Sequence, residues 1–362
     1  MGKRLIGYLT AIVMLVSAMP LQAVAENAAP PEPAPAEVTA EPDVVETEAE
    51  KDPVVLMESS GTCGANVTWV LDDDGTLTIS GTGEMEDYYL SDSPFYDNDS
   101  IKSVVIENGV TGIGNYAFRE CSNLSSINIP DSITSIGNYA FWDCSSLSSI
   151  NIPDSITSIG YSAFADCSSL SAISVPDSVT SIGDGAFQYC SSLSSINIPG
   201  SVTSIGNGTF RNCSSLSSIN IPDSVTSIGN FTFEDCSSLN SISIPDSVTS
   251  IGICTFRNCS SLSSINIPNS VASIGSGTFR NCSSLSSINI PDSVTSIDDD
   301  TFAGCSNLSS INIPDSVTSI GSGTFQYCSS LSSINIPDSV TSIDDEMCIR
   351  DRCRSGKQQN LR

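Results

Sequence analysis

Cys144-Ser-Ser-Leu147-Ser-Ser-Ile150-Asn-Ile152-Pro153-Asp-Ser-Ile156-Thr-Ser-Ile159-Gly160, then a variable pair, Ala163-Phe164 and a second variable pair before Cys167, is one period of a pattern that fills most of the chain. Cysteines at 121, 144, 167, 190, 213, 236, 259, 282, 305 and 328 recur every 23 residues, as do phenylalanines from Phe118 to Phe325 and prolines from Pro130 to Pro337. Ile101 to Glu120 is a divergent first copy with Glu107 at the proline position, and eleven strand motifs result, the last beginning at Leu331. Leu147, Ile150 and Ile152 have the spacing of a short strand with one face inward; Pro153 ends its ladder and Asp154-Ser155 supplies a turn. Each period thus turns about five aliphatics, one Phe and one Cys inward, worth roughly 10 to 15 kcal/mol of burial at roughly 1.5 to 3 per large side chain. Ordering the backbone costs at least as much, at roughly 1 to 2 kcal/mol per residue, so a lone period cannot fold and stacking must supply the difference. The array is expected to be a solenoid with a continuous parallel sheet along one side.

Composition narrows the function. The 362 residues hold 13 Lys plus Arg against 41 Asp plus Glu, a formal charge of −28, with no His, 14 Cys and two Trp. An acid excess of this size opposes binding to nucleic acid and to anionic lipid. Without histidine there is no Ser-His-Asp or Cys-His pair and no His-ligated zinc. No residue is assigned a catalytic role, and no cofactor or metal is expected.

The flanks differ from the array. Lys3 and Arg4, an apolar run from Leu5 to Val16 and Ala23-Val24-Ala25 before Glu26 read as a signal peptide over 1–25, too short for a membrane span. Residues 26–60 hold ten acids, one lysine and six prolines, the composition of an extended linker. Beyond the array at 101–346 the period stops, and five of the 13 bases crowd into the tail at 347–362. Codons for Met347 to Arg352 resemble a transposon-end sequencing adapter read in frame. The tail is therefore expected to be foreign, with any anchor, dockerin or catalytic module lost beyond Glu346.

Individual columns carry further expectations. In-register cysteines would stand roughly 5 Å apart, poorly placed for disulfides, so they read as small buried hydrophobes. Cys254, in a variable column, reads as the exposed thiol. Gly160 and its equivalents, replaced by Asp298 and Asp344, read as a left-handed turn. Asp residues after each proline offer oxygen ligands to Ca²⁺, but no EF-hand spacing accompanies them, so turn chemistry accounts for the row. Ser149 and Asn151 and their equivalents make a polar, uncharged sheet face that is poor in hot-spot residues. Variety concentrates in the pairs flanking Phe. Of five bases within 101–346, Arg119, Arg211, Arg257 and Arg280 share one column, with Glu234 placed to pair with both neighbours. Arg211, Arg257 and Arg280, with Trp142, Tyr189 and Tyr327 in or beside the column, are the candidate binding residues. The alternative is an exposed ion ladder of under about 1 kcal/mol per pair.

The repeat C-S-S-L-S-S-I-N-I-P-D-S-V-T-S-I-G-x-x-x-F-x-x closely resembles the BspA-like, Treponema-type leucine-rich repeats of secreted and surface proteins from anaerobic bacteria. The I-P step, the I-G turn and the x-F-x-x-C close all agree with it. Residues 61–100, with Gly61-Thr-Cys63-Gly64, Thr68-Trp69 and Gly75-Thr-Leu-Thr-Ile-Ser80-Gly81, resemble the segment that caps such arrays. The resemblance implies a right-handed leucine-rich-repeat solenoid of about eleven 23-residue coils, mainly β with short strands on the concave side and an N-terminal β-cap. It also implies adhesion to host matrix proteins, epithelial surfaces or neighbouring bacteria. The function expected is a secreted or cell-surface binding protein acting by multivalent contacts with matrix protein, mucin or a neighbouring cell, with neither nucleic acid nor membrane as partner. Two alternatives stand beside it, a structural spacer and a targeting module for a lost C-terminal domain.

Overall fold

The computed structural model describes residues 59–343. The signal peptide at 1–25, nearly all of the linker at 26–60, the last three positions of the array and the tail at 347–362 lie outside the described residues.

The chain begins as an antiparallel meander of Ser59–Gly64 (β1), Val67–Leu71 (β2) and Thr76–Gly81 (β3). After a short strand at Gly83–Glu84 (β4), the pairing changes direction: β3 runs parallel to Ser103–Ile106 (β5), and β4 to Val110–Ile113 (β6). From there two parallel ladders climb the stack. One is built of three-residue strands such as Ser149–Asn151 and Ala172–Ser174, the other of two-residue strands such as Ser158–Ile159 and Ser181–Ile182, each in register with its equivalent 23 residues on. The described residues contain no helix. The architecture is the expected mainly-β solenoid, with about twelve turns against eleven predicted motifs. The extra turn lies in the cap, where Leu77, Ile79, Met85 and Phe95 fill the inward positions of a coil.

Coils are held to one another more than to themselves. Phe95, Phe118 and the equivalents to Phe325 form one column of stacked rings, centroids 5.3–5.8 Å apart and planes within 17°. Trp69 closes its first end edge-on to Phe95 at 5.4 Å, so the cap covers a ring face that would otherwise meet water. Each ladder cysteine is buried, and its thiol donates to the phenylalanine carbonyl of the preceding coil, as Cys144 Sγ does to Phe118 at 3.1 Å. In the turn after proline, Ser155 Oγ donates to the Ile133 carbonyl at 2.5 Å, tying that corner to the coil below. From coil to coil the residue before Phe changes from Ala to Thr. Buried Thr255 satisfies its hydroxyl on two glycine carbonyls, Gly252 at 2.7 Å and Gly229 at 3.1 Å, so the extra polar atom is not left unpaired.

The glycine column corrects the sequence reading. Left-handed backbone falls two residues later, at Tyr139 (φ 56°), Ser162 (φ 48°) and Gly185 (φ 65°), and again just before each cysteine, as at Asp143 (φ 58°). Gly160 is required for a different reason: a Cβ there would stand 2.5 Å from the Gly137 carbonyl carbon. Coils approach most closely along this line. Asp298 replaces glycine where the stack is looser, because on either side of Ile274 the two-residue ladder falls to single bridges. In that coil Ala272 stands where Thr249 donates its hydroxyl to the Thr226 carbonyl.

Two outcomes follow from the packing. Gly160→Ala is expected to lower the melting temperature strongly, whereas Gly200→Ala, with nothing within 4 Å of where a Cβ would stand, is expected to stay within about 0.5 kcal/mol of the parent. Burial raises the ladder thiols above their ordinary value of 9.0, Cys121 to about 12 and Cys328 to about 11. A raised acid keeps its stabilising effect below the unfolded value and loses it as pH climbs towards the folded one. Urea midpoints are therefore expected to be level up to about pH 9 and to fall above it, with a shallower fall in a Cys167→Ala, Cys190→Ala variant.

Candidate binding edge

The two variable pairs of each coil lie on either side of the buried Phe, and their backbone is fixed whatever side chains they carry. In one coil the N–H groups of Ser162, Phe164 and Asp166 donate to the carbonyls of Asp184, Ala186 and Gln188 in the next, at 3.0, 2.9 and 2.8 Å. The residues between them turn inward along the chain, as Ala165 N–H does to Ser162 at 3.1 Å. The same trio recurs from Gly277, Phe279 and Asn281 at 2.8, 2.9 and 2.7 Å, in the coils where the two-residue ladder is weakest. The first variable position is often structural: Asn138 Oδ1 accepts from Tyr161 N–H at 2.7 Å, and Asn207 Oδ1 from Asn230 N–H at 2.8 Å.

The arginine column is a set of ion pairs. Glu234, only 3% exposed in its side chain, sits between Arg211 Nε at 2.6 Å and Arg257 Nη1 at 3.3 Å, while the two arginines are 38% and 39% exposed. The Arg211 Nε–H is not aimed at the carboxylate, so this is a charge contact rather than a hydrogen bond. Arg211 also lies 5.7 Å from the Phe231 ring centre. Arg280, two coils beyond Glu234, pairs with Asp300 at 2.8 Å. Tyr189 is exposed and its N–H donates to the Arg211 carbonyl, which places it beside the column's start. Tyr327, 70% exposed, stands two coils beyond Arg280 and outside this group.

Trp142 belongs to a separate cluster with Arg119. The Arg119 guanidinium lies 4.4 Å from the Trp142 ring centre and 5.2 Å from that of Tyr96, and pairs with Glu120 at 2.6 Å. Trp142 Nε1 donates to Asp166 at 2.8 Å. Beside it runs a row of tyrosines that the sequence reading missed: Tyr89, Tyr116, Tyr139 and Tyr161, with successive ring centres 6.4, 4.7 and 5.1 Å apart. Tyr116 and Tyr139 show the 23-residue step. Tyr161 sits one column earlier and Tyr89 precedes the array, so only packing reveals one row.

Other surfaces are plainer. Ser149, Asn151 and their equivalents face solvent. Among the described residues no group of three or more His, Cys, Asp or Glu is placed to hold a metal ion. Cys254 is the only described cysteine that is not fully buried.

The BspA-type leucine-rich repeat region matches residues 89–217, 181–308 and 249–354, in six copies. The fold is similar to that of a leucine-rich repeat protein from Bacteroides ovatus, 26% identical over 83% of this chain and 93% of that one, with a TM-score of 0.65. It is also similar to a leucine-rich repeat protein from Eubacterium ventriosum, 26% identical over 80% and 93% with a TM-score of 0.53. A leucine-rich cell surface protein from Faecalibacterium prausnitzii is 30% identical over 83% of this chain and 97% of that one, with a TM-score of 0.51. No curated protein matches the chain in sequence. A 23-residue coil with these inward columns and a family match across most of the chain lead to one conclusion: the chain belongs to the BspA-type leucine-rich repeat family.

Proposed function

We propose that this is a secreted or cell-surface binding protein of adhesin type, making multivalent contacts with host matrix protein, mucin or a neighbouring cell. The observation that carries the reading is the variable edge, where inter-coil bonds fix the backbone that carries Arg, Tyr and Trp residues found in only some coils. Rigid aromatic and arginine side chains dominate binding energy where interfaces are known. The similarity to a cell surface protein supports the location. A chain without histidine, whose surface is built of repeated columns, supports binding over catalysis.

Arg211, Arg257 and Arg280 are the contacts of first choice, with Tyr189 beside them and Trp142 and Tyr327 as separate anchors. The near-identical Ser/Asn faces favour the second reading, a spacer, because a column repeated unchanged carries no address for a partner.

The test is binding of the full chain to immobilised fibronectin, laminin and mucin. Removing both Arg211 and Arg257 would strand the buried Glu234 carboxylate, so Glu234→Gln is added to the Arg211→Ser, Arg257→Ser, Arg280→Ser variant. Binding by the parent and a loss of about tenfold or more in the variant are expected, the scale of removing a hot spot. Undiminished binding by the variant rejects the arginine site, and a parent that binds none of the surfaces favours the spacer.

A further inference from the structure

At the start of the array the same edge has a second character. Asp97, Glu120, Asp143 and Asp166 occupy one column on four successive coils, all held in left-handed backbone with φ between 52° and 61°. Their side chains are not equally satisfied. Glu120 accepts from Arg119 and from Tyr96 Oη at 3.0 Å, and Asp166 accepts from Trp142 Nε1 at 2.8 Å. Asp143, between them, accepts no hydrogen bond from a described residue. Partial burial and the charges of Asp166 and Glu120 push its carboxyl above the usual range against the opposing pull of Arg119, and no ion pair from a described residue reaches it.

Trp142 joins this column to the tyrosine row, with its ring centre 5.7 Å from that of Tyr139. The ends of the row are open, Tyr89 being 69% and Tyr161 46% exposed. Tyr116 and Tyr139 are stacked within 13° of parallel and cover each other's faces, and Arg119 covers a face of Trp142. Tyr116, Tyr139 and Trp142 therefore offer edges and hydroxyls rather than the open platforms on which a sugar stacks, and ring faces are left open only at Tyr89 and Tyr161. Arg119 itself shows what the surroundings accept: a guanidinium held between aromatic rings and paired to a carboxylate.

We infer that the tyrosine row and the Asp97–Asp166 column form a docking strip for an extended Lys- or Arg-bearing segment of a partner protein, with Asp143, which makes no ion pair among the described residues, as the charge partner. The balance of charge differs along the edge: this end sets four column acids against Arg119, whereas the middle carries Arg211, Arg257 and Arg280 with Glu234 and Asp235. The inference rests on the reading of the variable edge as a binding surface and gives it a partner chemistry.

The experiment measures fluorescence anisotropy of labelled octa-lysine and octa-arginine with the full chain, using octa-glutamate, a Gly-Ser octamer and maltoheptaose as comparison ligands. The Asp143→Asn, Tyr161→Ser variant is set against Asp223→Asn, Asp246→Asn, which removes two exposed carboxylates from the turn row. The basic peptides are expected to bind, about tenfold more weakly to the strip variant and within about twofold of the parent to the turn variant, with affinity falling as salt rises. Asp143→Asn alone is expected to leave the melting temperature unchanged or raised. Equal losses in both variants would mean non-specific attraction to an acidic chain and would overturn the inference, as would preferential binding of maltoheptaose or a lowered melting temperature for Asp143→Asn. A chain that binds matrix protein but no basic peptide removes the docking strip and leaves the adhesin reading in place.

Discussion

Three backbone hydrogen bonds per coil, running from the residues around each buried Phe to the carbonyls of the next coil, separate what this protein must repeat from what it is free to vary. Because they join main chain to main chain, the side chains flanking Phe take no part in them. Tyr139, Ser162, Gly185, Phe231 and Cys254 occupy equivalent left-handed positions with the same bonding. A non-glycine residue in that conformation is disfavoured in isolation; here the neighbouring coil over-determines it.

Inward positions have no such freedom. The neighbour of each inward residue is its own copy, so a change in one coil meets unchanged partners above and below. That is why Phe stacks on Phe, why every ladder cysteine meets a phenylalanine carbonyl, and why the closest line of approach admits glycine almost everywhere. The ladder thiols are buried and burial holds their acidity down, so they pack as small apolar groups and make a weak inter-coil bond. Variety is left to the edge, where two neighbouring stretches differ: tyrosines beside the Asp97–Asp166 column with Arg119 first, then Arg211 and Arg257 around the buried Glu234.

Periodicity made the core legible from sequence, because each inward column announces itself at a spacing of 23. The pairing of Glu234 with Arg211 and Arg257 was legible for the same reason, since column neighbours become spatial neighbours. Three features were not. Gly160 looked like a turn residue because sequence shows substitution by Asp but not how closely two coils approach. The cap's own coil was hidden because β3 and β5 pair Thr76 with Ser103, outside the 23-residue period, and the cap lacks the Pro and Cys markers. The tyrosine row was missed because Tyr161 and Tyr89 leave the column that Tyr116 and Tyr139 share, and only ring contacts reunite them.

Peptide-resolved hydrogen–deuterium exchange on the full chain tests the central claim that the variable edge is a rigid display. Amides around the buried Phe, from Tyr116 to Gly304, are expected to exchange as slowly as those of the three-residue strands, and to stay slow between Gly252 and Asp298, where the two-residue ladder weakens. Edge amides that exchange at the rate of an unfolded chain, while the strands remain protected, would contradict it.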